Sequence, residues 1–428
     1  RRQRQMCIRD RLMACLRMPA QHTYTLDECI DEALKNNVRI KNADNDLSVA
    51  KHGSKEAFTK YFPSLSATGG GFMADKGLIQ LEMSPEMEMS ILKNGIVGGV
   101  SASMPLFTGG QIVNANKLAK VNVEVSRLQH GLSVNEVKLV TERYFWQIVK
   151  LKEMLNTLSS VEGQLESIRK DVEASVDAGV TNRNDLLQVQ LRKNETRSTR
   201  ISVENALSVS RKLLAQYIGC ASDSIDVAFD FGGTLPSHPD NLYRIPESAL
   251  VLTNEYSLLQ QDVKASRLQY RMSVGKNLPS IAIGGGYMYD NLMDKDHSFW
   301  MGFATVSVPL SGWWGGSHDM KKHKLRLRNA ENRFTDQSQL LIIRMQNTWN
   351  DLTDAYQQVE IAVESIGQAT ENLRLQTDYY HAGTCTMSDL LEAQTLYQQS
   401  RDKYVESYAR YEVKKRELSL IHISEPTR

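Results

Sequence analysis

The sequence predicts a mainly α-helical chain with a small β part, built from two similar halves. Three observations lead to this prediction. The chain carries a long internal duplication, it has two proline-free spans rich in good helix formers, and its short strands alternate small or apolar with polar side chains. Two long copies favour one architecture made of two similar halves over a solenoid of many short repeats.

The duplication shows in four landmarks that recur in the same order. The motif "PSLSATGGG" begins at Pro63 and returns as "PSIAIGGG" at Pro279. The motif "AGVTNRNDLLQVQ" begins at Ala178 and returns as "AGTCTMSDLLEAQ" at Ala382. The offset between the copies falls from 216 residues at Pro63 and Pro279 to 204 at Pro105 and Pro309. This drop predicts a longer loop near residues 75–95 of the first copy.

Two spans without proline, Leu106 to Leu235 and Leu310 to Glu425, predict long helices because proline is the strongest helix breaker. Residues 111–177 alone would form roughly 100 Å of helix at about 1.5 Å per residue, which indicates an extended tube or coiled coil. The predicted helices cover about 24–60, 111–177, 185–219, 246–275, 315–381 and 389–417.

The turn between the long helix of the first copy and the next helix has recognisable capping residues. Gly179 is predicted to adopt the left-handed conformation that ends a helix. Thr181 and Asn184 are both candidates for the residue that opens the next one. The second copy has the equivalent turn near residues 382–389, so each copy is expected to contain one helical hairpin.

Four segments near 63–73, 96–105, 279–290 and 298–309 are predicted strands with two different faces. One face carries Val100, Val306 and Val308, and the other carries Ser101, Ser103 and Ser307. About ten residues suffice for a tilted strand to cross a membrane. Alternation alone also fits a half-buried sheet in a soluble domain.

The number of strands decides between these possibilities. Four strands leave two open edges, and open edges are not tolerated in lipid. Single-chain barrels begin at about eight strands, so strands that span a membrane would have to be pooled from several chains. Aromatic residues gather near the loops, as an interfacial girdle requires: Tyr287, Tyr289, Phe299 and Trp300.

Both ends of the chain are set aside before its composition is interpreted. Residues 1–11 and 418–428 are predicted to be read-through from a sequencing adapter. Codons can be chosen for the two ends so that they contain the two complementary strands of the same adapter sequence. Without residues 1–10 and 418–428 the formal net charge falls from +1 to about −2, which gives no basic excess for binding nucleic acid.

Residues 12–21, "LMACLRMPAQ", are expected to be the remnant of a signal peptide. A frayed cytosolic N-terminus is the alternative, and Cys15 is a candidate for lipid attachment. The two repeats are then residues 22–220 and 246–417, joined by a linker at 221–245.

The sequence shows no pattern of an enzyme or of a cofactor site. The motifs HExxH, GxSxG and GxxxxGK[ST] do not occur. Cys29, Cys220 and Cys385 are scattered without the spacing of a zinc or disulfide framework. His318 and His323 are five residues apart, a spacing that puts them on different faces of a helix. No catalytic activity, cofactor or metal is expected.

The elements follow a fixed order, which occurs twice: a helix, the "FPSLSATGGG" strand, the "PLFTGG" strand end, a long helix, the "AGVTNRNDLL" turn and a helix. Over residues 22–417 this order resembles that of the outer membrane efflux proteins of the TolC family. The resemblance implies a homotrimer with a 12-stranded transmembrane β-barrel in outer membrane lipid, continued by a long periplasmic α-helical barrel. It implies a passive exit duct for drugs, small molecules or proteins, docked to a periplasmic adaptor and an inner-membrane RND or ABC transporter. The alternative function is a soluble periplasmic coiled-coil adaptor or scaffold.

The resemblance also implies site residues at the ends of the helical hairpins. Asp389 and Glu392 match the acidic residues that ring the aperture of the family's tunnel, although an acidic pair near a helix start also suits the helix dipole. Asp185 and Tyr380 match positions that tie neighbouring hairpins together. At the position of Cys385 some members carry an arginine that takes part in these contacts between hairpins. The contacts that keep the tunnel closed are therefore expected to differ in this chain.

Overall fold

The computed structural model of the chain describes residues 23–75, 79–84, 87–91, 94–220, 225–229, 235–292, 295–310 and 312–422. The predicted read-through at 1–11 and the predicted signal-peptide remnant at 12–21, with Cys15, lie outside the described residues. So do residues 423–428 and parts of the predicted linker. The chain divides into two compact units, one of Arg1–Ala43, His130–Asn254 and Gln339–Arg428, the other of Asp44–Gln129 and Glu255–Ser338.

The described helices and strands follow the predicted order. The helices are α1 Leu26–Asn36, α2 Val38–Thr59, α3 Gln111–Asp177, α4 Arg183–Ile218, α5 Pro246–Leu250, α6 Asn254–Gly275, α7 Gly312–His381 and α8 Met387–His422, with a 3₁₀ turn at Pro239–Leu242. The strands are β1 Thr23–Tyr24, β2 Ser64–Met73, β3 Ile79–Ser84, β4 Met87–Ile91, β5 Asn94–Thr108, β6 Asp226–Val227, β7 Ser280–Leu292 and β8 Lys295–Ser307.

The duplication is visible in the element bounds. Helices α2 and α6 each have 22 residues, and their first residues, Val38 and Asn254, have the same offset as the two proline motifs. Helices α4 and α8 each have 36 residues, and their first residues, Arg183 and Met387, have the same offset as the two hairpin-turn motifs. The repeated motifs therefore mark repeated structure.

Two of the predicted helices are interrupted, and this corrects the sequence-based bounds. The helix expected over 24–60 breaks at Asn37, where ψ is 131°. The Asn37 side-chain amide donates to the Tyr217 carbonyl oxygen at 2.8 Å, and its Oδ1 accepts from the Arg39 amide at 2.8 Å. The helix expected over 246–275 breaks at 251–253, where the buried Thr253 hydroxyl donates to the Leu250 carbonyl oxygen at 2.7 Å. Side-chain bonds to the backbone compete with the helix at both breaks.

The helices after the two hairpin turns begin slightly earlier than predicted. Helix α4 starts at Arg183 with Asn182 as its N-cap residue, so neither Thr181 nor Asn184 holds that position. Helix α8 starts at Met387 and continues to His422, into the predicted read-through at 418–428. Leu418 is only 1% exposed and packs in a cluster with Leu352 and Tyr411. The read-through itself stays a prediction.

The first unit is held together by helix packing. Its largest cluster surrounds the aromatic pair Phe145 and Trp146, with Ile148, Leu158 and Leu214 among its buried members. The short parallel pair of β1 and β6 joins this cluster through Val227.

The second unit contains a four-stranded sheet in the order β2-β5-β7-β8, and all of its pairs are antiparallel. The separate β3–β4 hairpin lies in the segment where the sequence predicts a longer loop in the first copy.

Candidate functional site

The four-stranded sheet has one face of mainly apolar and small side chains. Directly paired residues of neighbouring strands share a face, and the register pairs Val100 with Ala67 on one side and with Tyr287 on the other. Tyr287 in turn pairs with Trp300 on β8, and their rings are 5.2 Å apart. This apolar face carries Leu65, Ala67, Ile96, Val100, Ala102, Ile283, Tyr287, Trp300, Ala304 and Val306.

The opposite face is lined with hydroxyl groups, and we call it the polar face. The hydroxyls of Ser64 and Ser103 are hydrogen-bonded at 2.9 Å, and those of Ser66 and Ser101 at 3.0 Å. The polar face carries Ser64, Ser66, Thr68, Ser101, Ser103, Ser280, Thr305 and Ser307, together with the larger apolar side chains of Phe72, Val97, Met288, Phe299, Met301 and Phe303. Val100 and Val306 therefore lie on the apolar face, and Ser101, Ser103 and Ser307 lie on the polar face. Val308 lies beyond the end of β8.

Two large side chains on the polar face lie over glycines. A methyl group at Gly284 would be 2.4 Å from Phe303 Cζ, and one at Gly99 would be 2.6 Å from Met288 Sδ. A methyl group would also lie 2.8 Å from the Tyr287 carbonyl oxygen at Gly99 and 2.9 Å from the Ala102 carbonyl oxygen at Gly284. The backbone of the neighbouring strand therefore favours glycine at both positions.

The sheet ends in open edges on both sides among the described strands. Its outer strands are β2 and β8, and β3 and β4 pair only with each other. The main-chain groups on the outer sides of β2 and β8 are thus available to another chain.

The hairpin ends of the first unit form the second region of interest. Gly179 and Gly383 have positive φ angles of 74° and 69°, as the left-handed turn requires. The two hairpins of the chain pack together through a cluster of apolar residues that we call the hairpin cluster. Its buried members are Val161, Leu165, Val172, Val189, Met387 and Leu390.

Asp389 is tied to the start of α8 by a reciprocal capping arrangement. Its Oδ2 accepts hydrogen bonds from the Thr386 amide at 2.9 Å and from the Thr386 hydroxyl at 2.6 Å, while its own amide donates to Thr386 Oγ1 at 3.3 Å. These bonds lower the pKa of the Asp389 carboxyl below its usual range. Glu392, one turn further along, is also exposed, so both carboxylates face solvent in the single chain.

Tyr380, Asp185 and Cys385 are brought near one another at the hairpin ends. Tyr380 packs against the hairpin cluster, and burial, followed by the nearby Asp185 carboxylate, raises the pKa of its hydroxyl. Asp185 accepts a hydrogen bond from the Thr181 hydroxyl at 2.5 Å. The Cys385 thiol donates to the Gln376 carbonyl oxygen at 3.5 Å, and burial raises its pKa.

Sequence reasoning missed two polar contacts at this site. Thr386 was not singled out, although the pattern "TMSD" has the spacing of a capping box. The Gln394 amide donates to Gln164 Oε1 at 3.0 Å between α8 and α3. These residues are 230 positions apart, and nothing in the sequence signals that they meet.

The described residues offer neither a metal site nor a membrane-spanning helix. No group of three or more His, Cys, Asp and Glu in this part of the chain is arranged to hold a metal ion. Of the two histidines considered in the sequence, His323 has its Nε2 3.9 Å from Asp319 Oδ1 on the same helix. None of the helices in the described ranges has a stretch that is long and apolar enough to span a lipid bilayer.

Comparison with known proteins identifies the family. The profile of the outer membrane efflux protein family matches residues 29–220 and 247–423, one match for each repeat. The chain belongs to the outer membrane efflux protein family. Its members are channels and not enzymes. This chain is an outer membrane efflux channel that extends into the periplasm, which favours the predicted channel over the soluble adaptor.

Solved structures share the fold at low sequence identity. That of CusC, described for its folding and transmembrane channel formation, has 14% identity and a TM-score of 0.80, with 92% of this chain and 91% of that chain covered. The Campylobacter jejuni CmeC outer membrane channel has 14% identity and a TM-score of 0.77, covering 93% and 85%. The Vibrio cholerae outer membrane protein VceC has 14% identity and a TM-score of 0.74, covering 93% and 95%.

These likenesses confirm the predicted fold class, that of TolC-like channels with a helical barrel and a β-barrel domain. A search of curated protein sequences gave no match. Outer membrane efflux channels of this family act as trimers together with adaptors and inner-membrane pumps.

Proposed function

We propose that three copies of this chain form one channel, each contributing four strands to a 12-stranded barrel. The observation that carries the proposal is the four-stranded sheet with an open edge at β2 and another at β8. A sheet with open edges cannot lie in lipid. Pairing of β2 with β8 of the next copy satisfies both edges, and three copies make twelve strands.

The two faces of the sheet give the barrel its orientation. The apolar face, with Val100, Tyr287 and Trp300, meets lipid, since apolar and aromatic side chains point outward in transmembrane barrels. The polar face, with its two serine pairs, lines the water-filled interior.

The channel acts as a passive exit duct in a tripartite efflux or type I secretion system. Cargo, whether drugs, small molecules or proteins, is delivered by an inner-membrane RND or ABC transporter and reaches the duct through a periplasmic adaptor. The duct itself does no chemistry. Selection of the cargo is left to the pump, because a wide water-filled tunnel discriminates little.

We assign the narrow end of the duct to the hairpin ends. Asp389 and Glu392 are exposed and lie one helical turn apart, so they occupy one side of α8. In a trimer they would form two stacked acidic rings around the threefold axis. Tyr380 and Asp185 would not line the aperture. They would limit its opening by holding the two hairpins of a chain together beside the hairpin cluster.

The oligomeric state tests the proposed function. Purified protein in a nonionic detergent is expected to give a trimer in native mass spectrometry and discrete conductance steps in planar bilayers. The variant Leu65→Pro puts proline in the outer strand β2 and leaves the sequence of the hairpins unchanged. We expect this variant to lose trimers. A folded monomer that stays in solution without detergent would refute the channel and support a soluble adaptor.

A further inference from the structure

The helices that adjoin the four-stranded sheet all meet it at the same end. The register pairs Ser64 with Ser103, and Ser280 with both Thr108 and Ser307. Helices α2, α3, α6 and α7 are attached to the strands at these residues. The helical segments next to the sheet, all within the second unit, are 51–60, 111–120, 264–276 and 312–328.

These four segments carry an unusual concentration of positive charge. They contain 14 lysines and arginines but only two carboxylates, Glu56 and Asp319, in a chain whose formal net charge is +1. All 14 basic residues are exposed. We call this set the basic collar.

Few charges of the basic collar are neutralised within the chain. Lys322 pairs with Asp319 at 2.6 Å, and Arg267 pairs with Glu331 at 3.4 Å. None of the other basic residues of the collar forms an ion pair with another described residue. Like charges gathered without partners repel one another, so the basic collar attracts external negative charge.

Exposed aromatic side chains lie on the same helix faces as these charges, closer to the sheet. On α2, Lys51 and Lys55 are followed at helical spacing by Phe58, which is 55% exposed. On α7, Trp314, Lys321 and Arg328 recur at intervals of two helical turns, and Trp314 is 73% exposed. Aromatic rings with basic residues beside them are typical of the boundary between lipid and water.

Two surface grooves in the basic collar have the chemistry of a phosphate site. A groove of about 410 Å³ is lined by Lys51, Lys55 and Lys120, with the hydroxyl groups of Ser48 and Ser54. A second groove, of about 520 Å³, runs along α7 beside Lys321, Lys324 and Arg328, and it is also lined by Leu325, Leu327 and Glu331. Ammonium, guanidinium and hydroxyl groups all donate hydrogen bonds to phosphate oxygens.

We propose that the basic collar binds the phosphate groups of anionic phospholipids in the periplasmic leaflet of the outer membrane. This rests on the proposed function in one respect, that the sheet spans the membrane and the basic collar therefore lies at its surface. Each basic residue near an anionic membrane surface strengthens binding by about fivefold. The contact would fix the depth of the channel in the membrane and compensate the repulsion within the basic collar.

Lipid binding to the purified full-length chain in nonionic detergent tests the proposal. Phosphatidylglycerol or phosphatidylcholine is titrated in, and bound lipids are counted by native mass spectrometry. The variants are Lys51→Gln/Lys55→Gln/Lys120→Gln and Lys321→Gln/Lys324→Gln/Arg328→Gln. The control is Lys170→Gln/Arg197→Gln/Lys212→Gln, which removes three exposed charges from α3 and α4 in the first unit.

The unmodified chain should bind phosphatidylglycerol at least about a hundredfold more tightly than phosphatidylcholine. Each collar variant removes three basic residues at about fivefold each and should therefore lose most of that preference, while the control keeps it. The preference should weaken as salt rises from about 0.1 M to 1 M. Equal binding of both lipids, or equal loss in the control, would overturn the proposal. So would unchanged lipid binding with altered ion selectivity, because the basic collar would then act on cargo in the lumen.

Conductance in phosphatidylcholine bilayers separates this proposal from the proposed function. Channels that conduct there but show no preference for phosphatidylglycerol refute lipid recognition alone. Protein that forms no trimer and no conductance refutes the channel, whatever lipid it binds.

Discussion

At the residue scale, the buried carboxylate Glu142 on α3 is an electrostatic constraint on the fold. Its side chain is only 3% exposed, and its Oε2 accepts from Arg416 Nε of α8 at 2.5 Å. Trp146 Nε1 donates to its other oxygen at 3.4 Å. Burial raises the pKa of Glu142, and Arg416 opposes that rise. The arginine is therefore what keeps a charge tolerable in this core.

Loss of that arginine should be costly. We expect Arg416→Ala to destabilise the protein by about 3 kcal/mol at pH 7, because it leaves a buried charge without a partner. A carboxyl whose pKa is raised in the folded state favours folding below its unfolded pKa and loses that contribution as pH rises through the folded pKa. The deficit of Arg416→Ala should therefore shrink between pH 7 and about pH 5, as measured by thermal unfolding followed by circular dichroism.

Two matched variants show whether burial is the cause. The double change Arg416→Ala/Glu142→Gln should recover most of the stability, since the neutral amide can still accept from Trp146. Arg374 and Glu371 form an exposed ion pair at 2.7 Å, and Arg374→Ala should change the stability of the protein little because solvent screens the pair. If both arginine variants lost the same stability, burial of Glu142 would not explain the effect.

At the element scale, the sequence predicts the long helices well and their interruptions poorly. Residues 111–177 form one helix with the predicted bounds, because proline, glycine caps and helix formers all mark the same limits. The break at Asn37 is set by its hydrogen bond to Tyr217, 180 residues away. A long-range contact of this kind leaves no local pattern in the sequence.

In the candidate site, too, local features could be predicted from the sequence and long-range contacts could not. The left-handed glycines of both hairpin turns follow from local chemistry, as does the alternation of the strand faces. The packing of Tyr380 against the hairpin cluster depends on two hairpins far apart in the chain. Family resemblance pointed to Tyr380 and Asp185, whereas composition and periodicity did not.

The strand faces give a prediction for neighbouring residues of β5. Val100→Arg puts a charge on the apolar face and should cost about 2–4 kcal/mol per chain near the middle of the membrane. Ser101→Arg puts the same charge on the polar face at nearly the same depth and should cost little beyond its hydrogen bond to Ser66. Urea unfolding of protein folded into phospholipid bilayers measures both changes, and equal costs would mean that the strands do not span.

At the scale of the whole molecule, three chains would place six carboxylates, three each from Asp389 and Glu392, around one axis. Crowded carboxylates attract cations, and multivalent cations can bind between them and block the passage. In the single chain Asp389 also caps α8, so replacement by alanine would remove a helix cap together with a charge. A variant that keeps the cap separates the two roles.

The double variant Asp389→Asn/Glu392→Gln keeps the side-chain acceptor for Thr386 and removes both charges. If the two residues ring the aperture, this variant should lose cation selectivity in planar bilayers and bind a blocking trivalent cation at least about tenfold more weakly. Asp185→Asn and Tyr380→Phe should instead raise the open conductance and leave the block intact, since they loosen the contact between hairpins and do not line the hole. If the double variant keeps its cation selectivity and its block by the trivalent cation, the acidic ring must lie elsewhere, and Asp389 is only a helix cap.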